Sequence, residues 1–403
     1  MGTPQPHSTR RPSRYGGILR VATILTLLAN AAFARNVILL IGDGMGFNHV
    51  AAGRAYAVGS DGALVMEGIE RHGQVATHSA TSAITDSSAA ATALATGVKT
   101  YNDAVAVALD GLSLETILEI AKSSGMATGL VSTTRITHAT PACFAAHEAN
   151  RDNEVQIAQD YLRDSRPDVL LGGGGRVFSS ALLGEARQAG YEIVSTADGL
   201  SVAAASATQT SKTLGLFAYS HLTQEIRRSE ASSEPHLWDM VGAALAMLSV
   251  PSSDFFLMVE GGRIDDGAHD HDLRRTTLEV AAFDKAVEVV VNWTQAGSAR
   301  QADTLVLVTA DHETGGLSIQ NPDETLAAGE FVTADWSTWE HTAADVPIWG
   351  FGPGSEAIAA QMDNTDIFPI MLDAISAEAG TVVSSVGKRA TTLGAVKRAA
   401  ATP

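Results

Sequence analysis

The segment 260–269 contains three carboxylates and an imidazole, and Glu260, Asp265 and His269 have a spacing suited to metal binding. Asp265 and His269 are four residues apart, so on a helix both side chains lie on one face and can bind one ion. Glu260 follows the apolar run 255–259, which predicts a buried strand with this carboxylate at its C-terminal edge. Carboxylates alone suit a hard cation, whereas aspartate with histidine suits zinc. The segment therefore indicates two different metals side by side.

Two other runs with the character of strands also end in groups that can bind a metal. Asp43 follows the apolar run 36–41, and Asp311 with His312 follows the run 304–309. Taken alone, an Asp-Gly pair after a strand usually marks an ordinary turn, so Asp43 by itself is a weak signal. In parallel sheets, however, ligands bind beyond the carboxyl ends of the strands. Acidic and imidazole groups after several such runs therefore predict one shared site.

Ser87 lies where a polar segment changes to a small, helix-forming one, at residues 85–93. At a helix start, amide donors and the helix dipole favour an anion, which would suit a nucleophile that attacks phosphorus. The alternative is an ordinary capping motif in which Asp86 or Ser87 is the N-cap residue. The local sequence leaves both interpretations open.

His138, Thr140 and Arg151 form a second polar cluster. His138 and Thr140 are two residues apart, so in an extended segment their side chains point the same way. Arg151 could clamp two phosphate oxygens with its planar guanidinium. The alternatives are a structural histidine at position 138 and a surface ion pair between Arg151 and Asp152 or Glu154.

His341 lies near two tryptophans, where a histidine is more often packed than ligating. It is included because Asp265 and His269 would need a third zinc ligand. The glycine run 172–175 lacks the lysine and hydroxyl residues of a phosphate-binding loop and predicts a flexible turn from strand to helix. Three other groups are expected to be solvated surface charges: Asp103, His271 and Asp272.

The elements that must position these groups indicate an α/β fold. Residues 129–132 and 168–171 add two more apolar runs, and helix-like segments at 113–123 and 278–293 lie between runs. Strands that are apolar on both faces and alternate with helices predict a three-layer α/β/α sandwich with a large, mostly parallel central sheet. Residues 195–211 are rich in Ala, Ser and Thr and are expected to form a loop.

The N-terminal segment 1–34 has the pattern of a secretory signal peptide. A basic lead precedes an apolar run at 21–31, which is too short to span a bilayer, and the small-x-small sequence 32–34 follows. The twin arginines at 10 and 11 leave the choice between two export routes open. Residues 35–380 would then form the catalytic domain, and 381–403 a loosely ordered tail.

Composition excludes one class of partner. The formal net charge of the 403-residue chain is −18, and cleavage after residue 34 would remove four arginines and bring it to about −22. Such a chain is a poor nucleic-acid binder but a plausible chelator of divalent cations. Cys143 is the only cysteine, so no intrachain disulfide can form and bound metal could stabilise the exported protein instead.

Taken together, these segments resemble the alkaline phosphatase family. The resemblance rests on five short motifs in order: Asp-Gly-Met-Gly at 43–46, Thr-Asp-Ser-x-Ala at 85–89, Glu-Gly-x-x-Ile-Asp at 260–265, Thr-Ala-Asp-His at 309–312 and Glu-His-Thr at 340–342. Each motif is weak, but their joint order is specific. It extends from Asp43 to His341, which is nearly all of the chain after the signal segment.

The resemblance implies a role for each matching residue. Ser87 would be the nucleophile and Arg151 the substrate arginine. One zinc would be bound by Asp265, His269 and His341, and a second by Asp43, Asp311 and His312. Asp43 would also reach a magnesium ion held by Thr140 and Glu260, and His138 would lie beside that ion where some members have aspartate.

The resemblance also implies an activity and a location. The expected reaction is hydrolysis of phosphate monoesters to an alcohol and inorganic phosphate through a covalent phosphoserine, with two zinc ions and one magnesium ion per chain. The expected location is the periplasm or the exterior, with small-molecule monoesters as substrates and no stable membrane span after cleavage. A homodimer is compatible with the family. Many members build dimer contacts from a longer insertion between the positions of His312 and His341, and this interval is short here.

One position departs from the family pattern. Asp266 stands where relatives often have lysine, histidine or tryptophan. Its extra negative charge suggests stronger cation binding at the third site and faster phosphate release. Together with His138, it leaves the third ion open between magnesium, zinc and other cations. Two alternative functions remain: a phosphodiesterase of the same superfamily, and a non-catalytic periplasmic protein that binds metal or phosphate.

Overall fold

The fold is built on a mixed sheet whose central strands are buried on both faces. The computed structural model describes residues 1–3, 36–250, 254–296 and 303–376. Within these residues the large sheet has ten strands in the order β14-β2-β13-β8-β1-β7-β3-β4-β6-β5. Its strands are β1 (Asn36–Gly42), β2 (Arg71–Ala76), β3 (Ala127–Arg135), β4 (Val169–Gly173), β5 (Tyr191–Val194), β6 (Lys212–Leu216), β7 (Phe255–Gly261), β8 (Thr304–Thr309), β13 (Val346–Phe351) and β14 (Gln361–Asp363).

Helices cover this sheet. The longest is α10, which makes extensive contacts with α1, α8 and α9. The helices are α1 (Phe47–Val58), α2 (Ser87–Thr96), α3 (Ile117–Ser123), α4 (Ala139–Ala145), α5 (Glu154–Asp160), α6 (Ser180–Gln188), α7 (Ala197–Ala205), α8 (Leu237–Leu248), α9 (Arg263–His269), α10 (Leu273–Gln295) and α11 (Ile367–Ser376). The predicted mostly parallel α/β sandwich is confirmed.

The register of the three central strands brings the predicted ligands to one edge. β1 lies between β7 and β8 and runs parallel to both. Ile41 lies opposite Glu260 on one side and opposite Thr309 on the other. All three strands are buried along their whole length because their side chains are apolar on both faces. The groups that follow them therefore emerge at the same level.

Antiparallel strands complete the sheet and add two small ribbons near the site. β13 pairs antiparallel with β8 and with β2, so the sheet is parallel only in its larger part. One ribbon joins β9 (Glu313–Thr314) to β12 (His341–Thr342), and the other joins β10 (Ser318–Ile319) to β11 (Ala334–Asp335). The first ribbon places His341 opposite Thr314, two residues after His312.

Several predicted elements have different limits in the structure. The segment 195–211 is not a loop throughout, because α7 forms within it and Thr196 caps that helix by accepting from Gly199 N. The helix expected at 113–123 begins at Ile117, where Thr116 and Glu119 form a capping box. The helix expected at 278–293 extends from Leu273 to Gln295. The glycine run 172–175 ends β4, and Gly174 turns the chain with φ +103°.

The chain divides into two units, residues 1–31 and 32–403, and of the first the structure describes only residues 1–3. The predicted signal segment and the predicted tail lie almost entirely outside the described residues, so both stay predictions, as do the domain limits. None of the described helices has the length and hydropathy needed to cross a membrane.

Candidate active site

One group of potential metal ligands lies directly beyond β1 and β8. His312 Nε2 is 3.5 Å from Asp43 Oδ1 and 3.2 Å from Asp311 Oδ2, and all three side chains are fully buried. Asp311 is oriented by Gly44 N, which donates to its Oδ1 at 3.1 Å. These three residues can offer ligand atoms that lie within 4.8 Å of one another. Carboxylate and imidazole ligands at this spacing suit zinc.

The carboxylates of this group lack the partners that buried charges need. Both oxygens of Asp43 and Oδ2 of Asp311 have no hydrogen-bond partner among the described residues. Burial raises the pKa of Asp43 well above its ordinary value, and repulsion from Asp311 and Asp265 adds to the effect. Burying an unpaired carboxylate is costly unless it is paired or coordinates a metal. The donor set therefore fits bound cations.

A second group consists of Asp265, His269 and His341. Helix α9 places Asp265 and His269 on one face, as their spacing predicts, with His269 Nε2 3.4 Å from Asp265 Oδ2. His341 Nε2 lies 3.1 Å from His269 Nε2 and 3.8 Å from Asp265 Oδ1. The two groups adjoin, because the rings of His312 and His341 stack with centroids 3.6 Å apart.

In all three imidazoles Nδ1 is engaged by a neighbour, so Nε2 points into the site. His341 Nδ1 donates to the carbonyl of Thr85 at 2.8 Å, and His269 Nδ1 donates to that of Trp339 at 2.5 Å. Thr314 Oγ1 lies 3.3 Å from His312 Nδ1 and donates to Asp265 Oδ1 at 2.5 Å. Such contacts fix the tautomer and ring orientation of a metal ligand.

A third group comprises Asp43, His138 and Glu260, whose potential ligand atoms also lie within 4.8 Å of one another. Ser132 donates to Glu260 Oε2, and Thr134 donates to the same oxygen at 3.0 Å. Burial raises the pKa of Glu260 to about 7 against these hydrogen bonds. The buried Oε1 of Glu260 and Oγ1 of Thr140 have no hydrogen-bond partner among the described residues. Oxygen atoms left free in this way suit a hard cation.

Ser87 lies at the start of α2, beside the first group. Its Oγ is 3.2 Å from His312 Nε2, and the residue is only 2% exposed. Of the two possible N-cap residues, Asp86 is the one that caps the helix, since its Oδ1 accepts a hydrogen bond from Ala89 N at 2.9 Å. Ser87 is therefore left free to take part in chemistry.

Arg151 is held by residues other than its sequence neighbours. Its Nη1 donates to Asp86 Oδ2 at 3.0 Å, and its Nη2 lies 3.3 Å from His138 Nε2. The expected alternative pair with Glu154 is not formed, because Glu154 binds Arg135 and Arg176. Burial opposes ionisation of Asp86, but Arg151 and the backbone N–H groups of Ala89 and Asp103 together outweigh burial, so the pKa of Asp86 is lowered. The guanidinium is thus kept charged beside Ser87.

Three expectations about individual residues need correction. His138 and Thr140 are not on an extended segment, since His138 is the N-cap of α4 and Thr140 lies in its first turn. His271 is a partly buried residue that stacks with Trp339 and lies parallel to Trp336, and is not a solvated charge. Asp272 caps α10 by accepting from Arg275 N at 3.1 Å. Asp103 is exposed, as predicted.

Asp266 is paired within its own helix. Its Oδ2 lies 2.9 Å from Arg263 Nη1, and the described residues that form the third group do not include it. Burial raises the pKa of Asp266 above its ordinary value, although the charge of Arg263 partly opposes this shift. That Asp266 strengthens cation binding stays a prediction, which the substitution Asp266→Lys would test through magnesium dependence and phosphate inhibition.

Sequence reasoning missed the residues that orient the ligands. Ser132 and Thr134 on β3 and Thr314 on β9 contact ligand carboxylates, but isolated hydroxyl residues in strands have no distinctive signal. The carbonyls of Thr85 and Trp339 carry none at all. Asp86 was available from the motif at 85–89, but its ion-pair partner Arg151 is 65 residues away in the sequence, so the sequence did not reveal this pairing.

Comparison with known proteins points to a single family. The family model described as "Alkaline phosphatase" matches residues 34–335. The chain is 34% identical to alkaline phosphatase 3 of Bacillus subtilis, covering 83% of this chain and 87% of that protein. It is 32% identical to streptomycin-6-phosphate phosphatase of Streptomyces griseus, covering 94% and 99%.

Among solved structures, the alkaline phosphatase of the Antarctic bacterium TAB5 aligns with a TM-score of 0.75 at 30% identity, covering 86% of this chain and 99% of that one. A histidine-to-aspartate variant of the TAB5 enzyme was solved with magnesium bound in its M3 site.

Proposed function

The chain belongs to the alkaline phosphatase family, whose members hydrolyse phosphate monoesters at metal sites, and from this premise we propose that it acts through a covalent phosphoserine at Ser87. The observation that carries this proposal is the position of Ser87 Oγ, 3.2 Å from His312 Nε2 at the start of α2. A nucleophile at this place faces both the amide end of a helix and a group of metal ligands.

We assign two zinc sites and one magnesium site to the three groups. Asp265, His269 and His341 would hold one zinc ion, and Asp43, Asp311 and His312 the other. Glu260, Thr140 and Asp43 would hold magnesium, with His138 beside it. The unpartnered oxygens of Asp43, Asp311 and Glu260 support the second zinc site and the magnesium site. The first zinc site is supported by the close approach of the Nε2 atoms of His269 and His341 to each other and to Asp265. Two such zinc ions supply charge stabilisation for the attacking and leaving oxygens of an in-line displacement.

The residues of the chain divide the rest of the reaction between them. Ser87 Oγ forms a bond to phosphorus as the bond to the leaving alcohol breaks, and water then displaces Ser87 to release inorganic phosphate. Two inversions would retain the configuration at phosphorus. Arg151, oriented by Asp86, donates two parallel hydrogen bonds to the equatorial phosphate oxygens. Thr314 and the carbonyl of Thr85 keep the Nε2 atoms of His312 and His341 oriented towards the proposed zinc positions.

Ser87→Ala tests this role against a matched neighbour. We expect the rate of monoester hydrolysis to fall by at least about 10³-fold, in the range seen when a nucleophile is removed. Ser88→Ala is the control, because Ser88 is the next buried serine of the same helix. A Ser87→Ala variant that keeps wild-type turnover, or a wild type that binds phosphate without turnover, would contradict the proposal. Preference for a diester with the same leaving group would favour the phosphodiesterase alternative.

We further propose that the protein is exported to the periplasm or beyond and that two copies associate. The signal-like pattern of residues 1–34 supports export, and N-terminal sequencing of the exported protein would test it. The homodimer rests on the family alone, and light scattering of the purified protein would test it.

A further inference from the structure

The segment 336–341, here called the strap, passes over the Asp265–His269–His341 group and contains His341 itself. Two of its carbonyls accept hydrogen bonds from imidazoles of the α9 end. Trp339 O accepts from His269 Nδ1 at 2.5 Å, and Thr338 O accepts from His271 Nε2 at 2.6 Å. The strap is therefore tied to the metal-ligating helix by two neighbouring histidines, of which only His269 is a proposed ligand.

His271 makes a second kind of contact with the strap. Its ring stacks on Trp339 with centroids 3.6 Å apart and planes at 10°, and it faces Trp336 at 5.3 Å with planes at 2°. The imidazole thus contacts two indoles that belong to the same short segment. Aromatic pairs of this kind contribute about 0.5–1.5 kcal/mol beyond the area they bury.

The backbone at His271 is set up for this insertion. His271 has φ +52°, a left-handed conformation that is uncommon outside glycine. Two hydrogen bonds back to α9, His271 N to Ala268 O at 3.0 Å and Asp272 N to Gly267 O at 2.9 Å, hold the turn. A strained residue maintained by its surroundings suggests that its side chain has a role.

The other edge of the strap is fixed to the loop after β9. Ser337 N and Thr338 N both donate to Gly315 O, at 3.0 and 3.2 Å, and Gly315 N donates to Glu340 O at 3.0 Å. A Cβ at Gly315 would come within 2.4 Å of the Trp336 ring. His271 and Gly315 therefore both anchor the strap through hydrogen bonds. This anchoring fixes the backbone from which the His341 side chain projects.

We propose that His271 is a positioning residue for one zinc ion: through the strap it fixes His269 and His341 so that both Nε2 atoms converge with Asp265. The proposal rests on the proposed zinc assignment. Partners that orient metal ligands typically account for about 10- to 100-fold in metal affinity. His271 touches none of the reacting groups, so its loss should weaken metal retention and leave the chemical step intact.

The test measures zinc retention in the full chain by competition with a chelator. His271→Asn is the main variant, because asparagine tolerates the left-handed backbone but removes the ring. We expect one of the two zinc ions to be bound about 10- to 100-fold more weakly, with kcat restored when zinc is saturating. His271→Phe, which keeps the ring and lacks the N–H, should recover part of the loss and guards against a simple folding defect.

His236→Ala is the matched control, since His236 makes a similar stack away from the site. Its ring stacks on Trp238 with centroids 4.0 Å apart and ring planes at 10°. Unchanged zinc affinity in His271→Asn, equal loss of both zinc ions, or the same loss in His236→Ala would overturn the inference. His269→Ala separates this result from the assignment on which it rests. If His269→Ala keeps both zinc ions, the zinc assignment fails and the inference with it.

Discussion

At the scale of single residues, reactivity here depends on groups that orient the reactive ones. Arg151 is charged and aimed because Asp86 accepts from it at 3.0 Å, while the same carboxylate caps the helix that begins with Ser87. One aspartate thus sets the relative position of the proposed nucleophile and the proposed phosphate clamp. Neither role of Asp86 needs direct contact with substrate.

Arg151→Lys tests the clamp. Lysine keeps the charge but cannot form two parallel hydrogen bonds, so we expect kcat/KM for monoesters to fall roughly 10- to 100-fold, about the value of one lost hydrogen bond between charged groups. Inhibition by inorganic phosphate should weaken in parallel. Arg163→Lys, at an exposed arginine paired with Glu185, is the control. Equal phosphate inhibition in Arg151→Lys and wild type would argue against a bidentate contact.

The sequence predicted which side chains gather but not what orients them. Asp43, Glu260 and Asp311 could be placed because each follows an apolar strand, and strand ends of a parallel sheet share an edge. The orienting carbonyls of Thr85 and Trp339 could not, because every residue has a carbonyl and only the folded backbone decides where it points. His271 was misjudged for a related reason: its two indole partners are more than sixty residues away.

At the scale of elements, five strands of the large sheet follow from their apolar runs, namely β1, β3, β4, β7 and β8, whereas its other five strands and several helix limits could not be predicted. The runs that became β1, β7 and β8 are apolar on both faces, which few other structures can bury. Helix α7 was missed because serine and threonine around it suggested a loop, although alanine, the best helix former, fills its interior. Thr196 supplied a cap that composition alone does not reveal.

A pH-dependent ion pair links Glu119 in α3 to His147 in the segment after α4. His147 lies 2.9 Å from Glu119 Oε1 and 3.0 Å from Ala106 O. Burial disfavours both charges, but the attraction and hydrogen bond between the two side chains, with their other hydrogen bonds, outweigh burial. The pKa of His147 is therefore raised and that of Glu119 is lowered. The Glu119 contribution to stability is lost as pH falls through its lowered pKa. The His147 contribution is complete below pH 6.5 and is lost as pH rises through its raised pKa.

Glu119→Gln should therefore lower the melting temperature most near pH 5–6, where both partners are charged in the wild type. The corresponding loss in free energy of unfolding is about 1–3 kcal/mol. Thermal melts across the pH range, compared with Glu185→Gln at an exposed ion pair, would measure it. A difference in melting temperature between variant and wild type that stays constant from pH 4 to pH 9 would contradict the assignment.

At the scale of the whole molecule, we expect bound cations to stabilise a strongly acidic chain. The chain has net charge −18 and a single buried cysteine, so neither charge balance nor a disulfide secures it. Three buried carboxylates, Asp43, Glu260 and Asp311, converge at the sheet edge, and burial raises the pKa of each. Without cations, folding must keep these groups protonated or pay for their repulsion.

Metal removal should consequently make stability depend on pH with a defined sign. A carboxyl with a raised pKa stabilises the folded state below its ordinary pKa, and that contribution is lost as pH rises through the folded value, about 7 for Glu260. We expect the chelated protein to lose melting temperature between about pH 4 and pH 7, and the zinc- and magnesium-loaded protein to be protected. Calorimetry of both forms across this pH range would measure the difference in melting temperature. Melting temperatures that change with pH in the same way in both forms would count against the site.

The central claim is that hydrolysis passes through phosphorylated Ser87, and trapping that intermediate tests it most directly. The enzyme would be mixed with excess monoester, quenched in acid, digested and examined by mass spectrometry. We predict a phosphate on the peptide that contains Ser87, at no more than one per chain, and none in Ser87→Ala. Full turnover with phosphate on another residue, or with inverted configuration at phosphorus, would contradict the account.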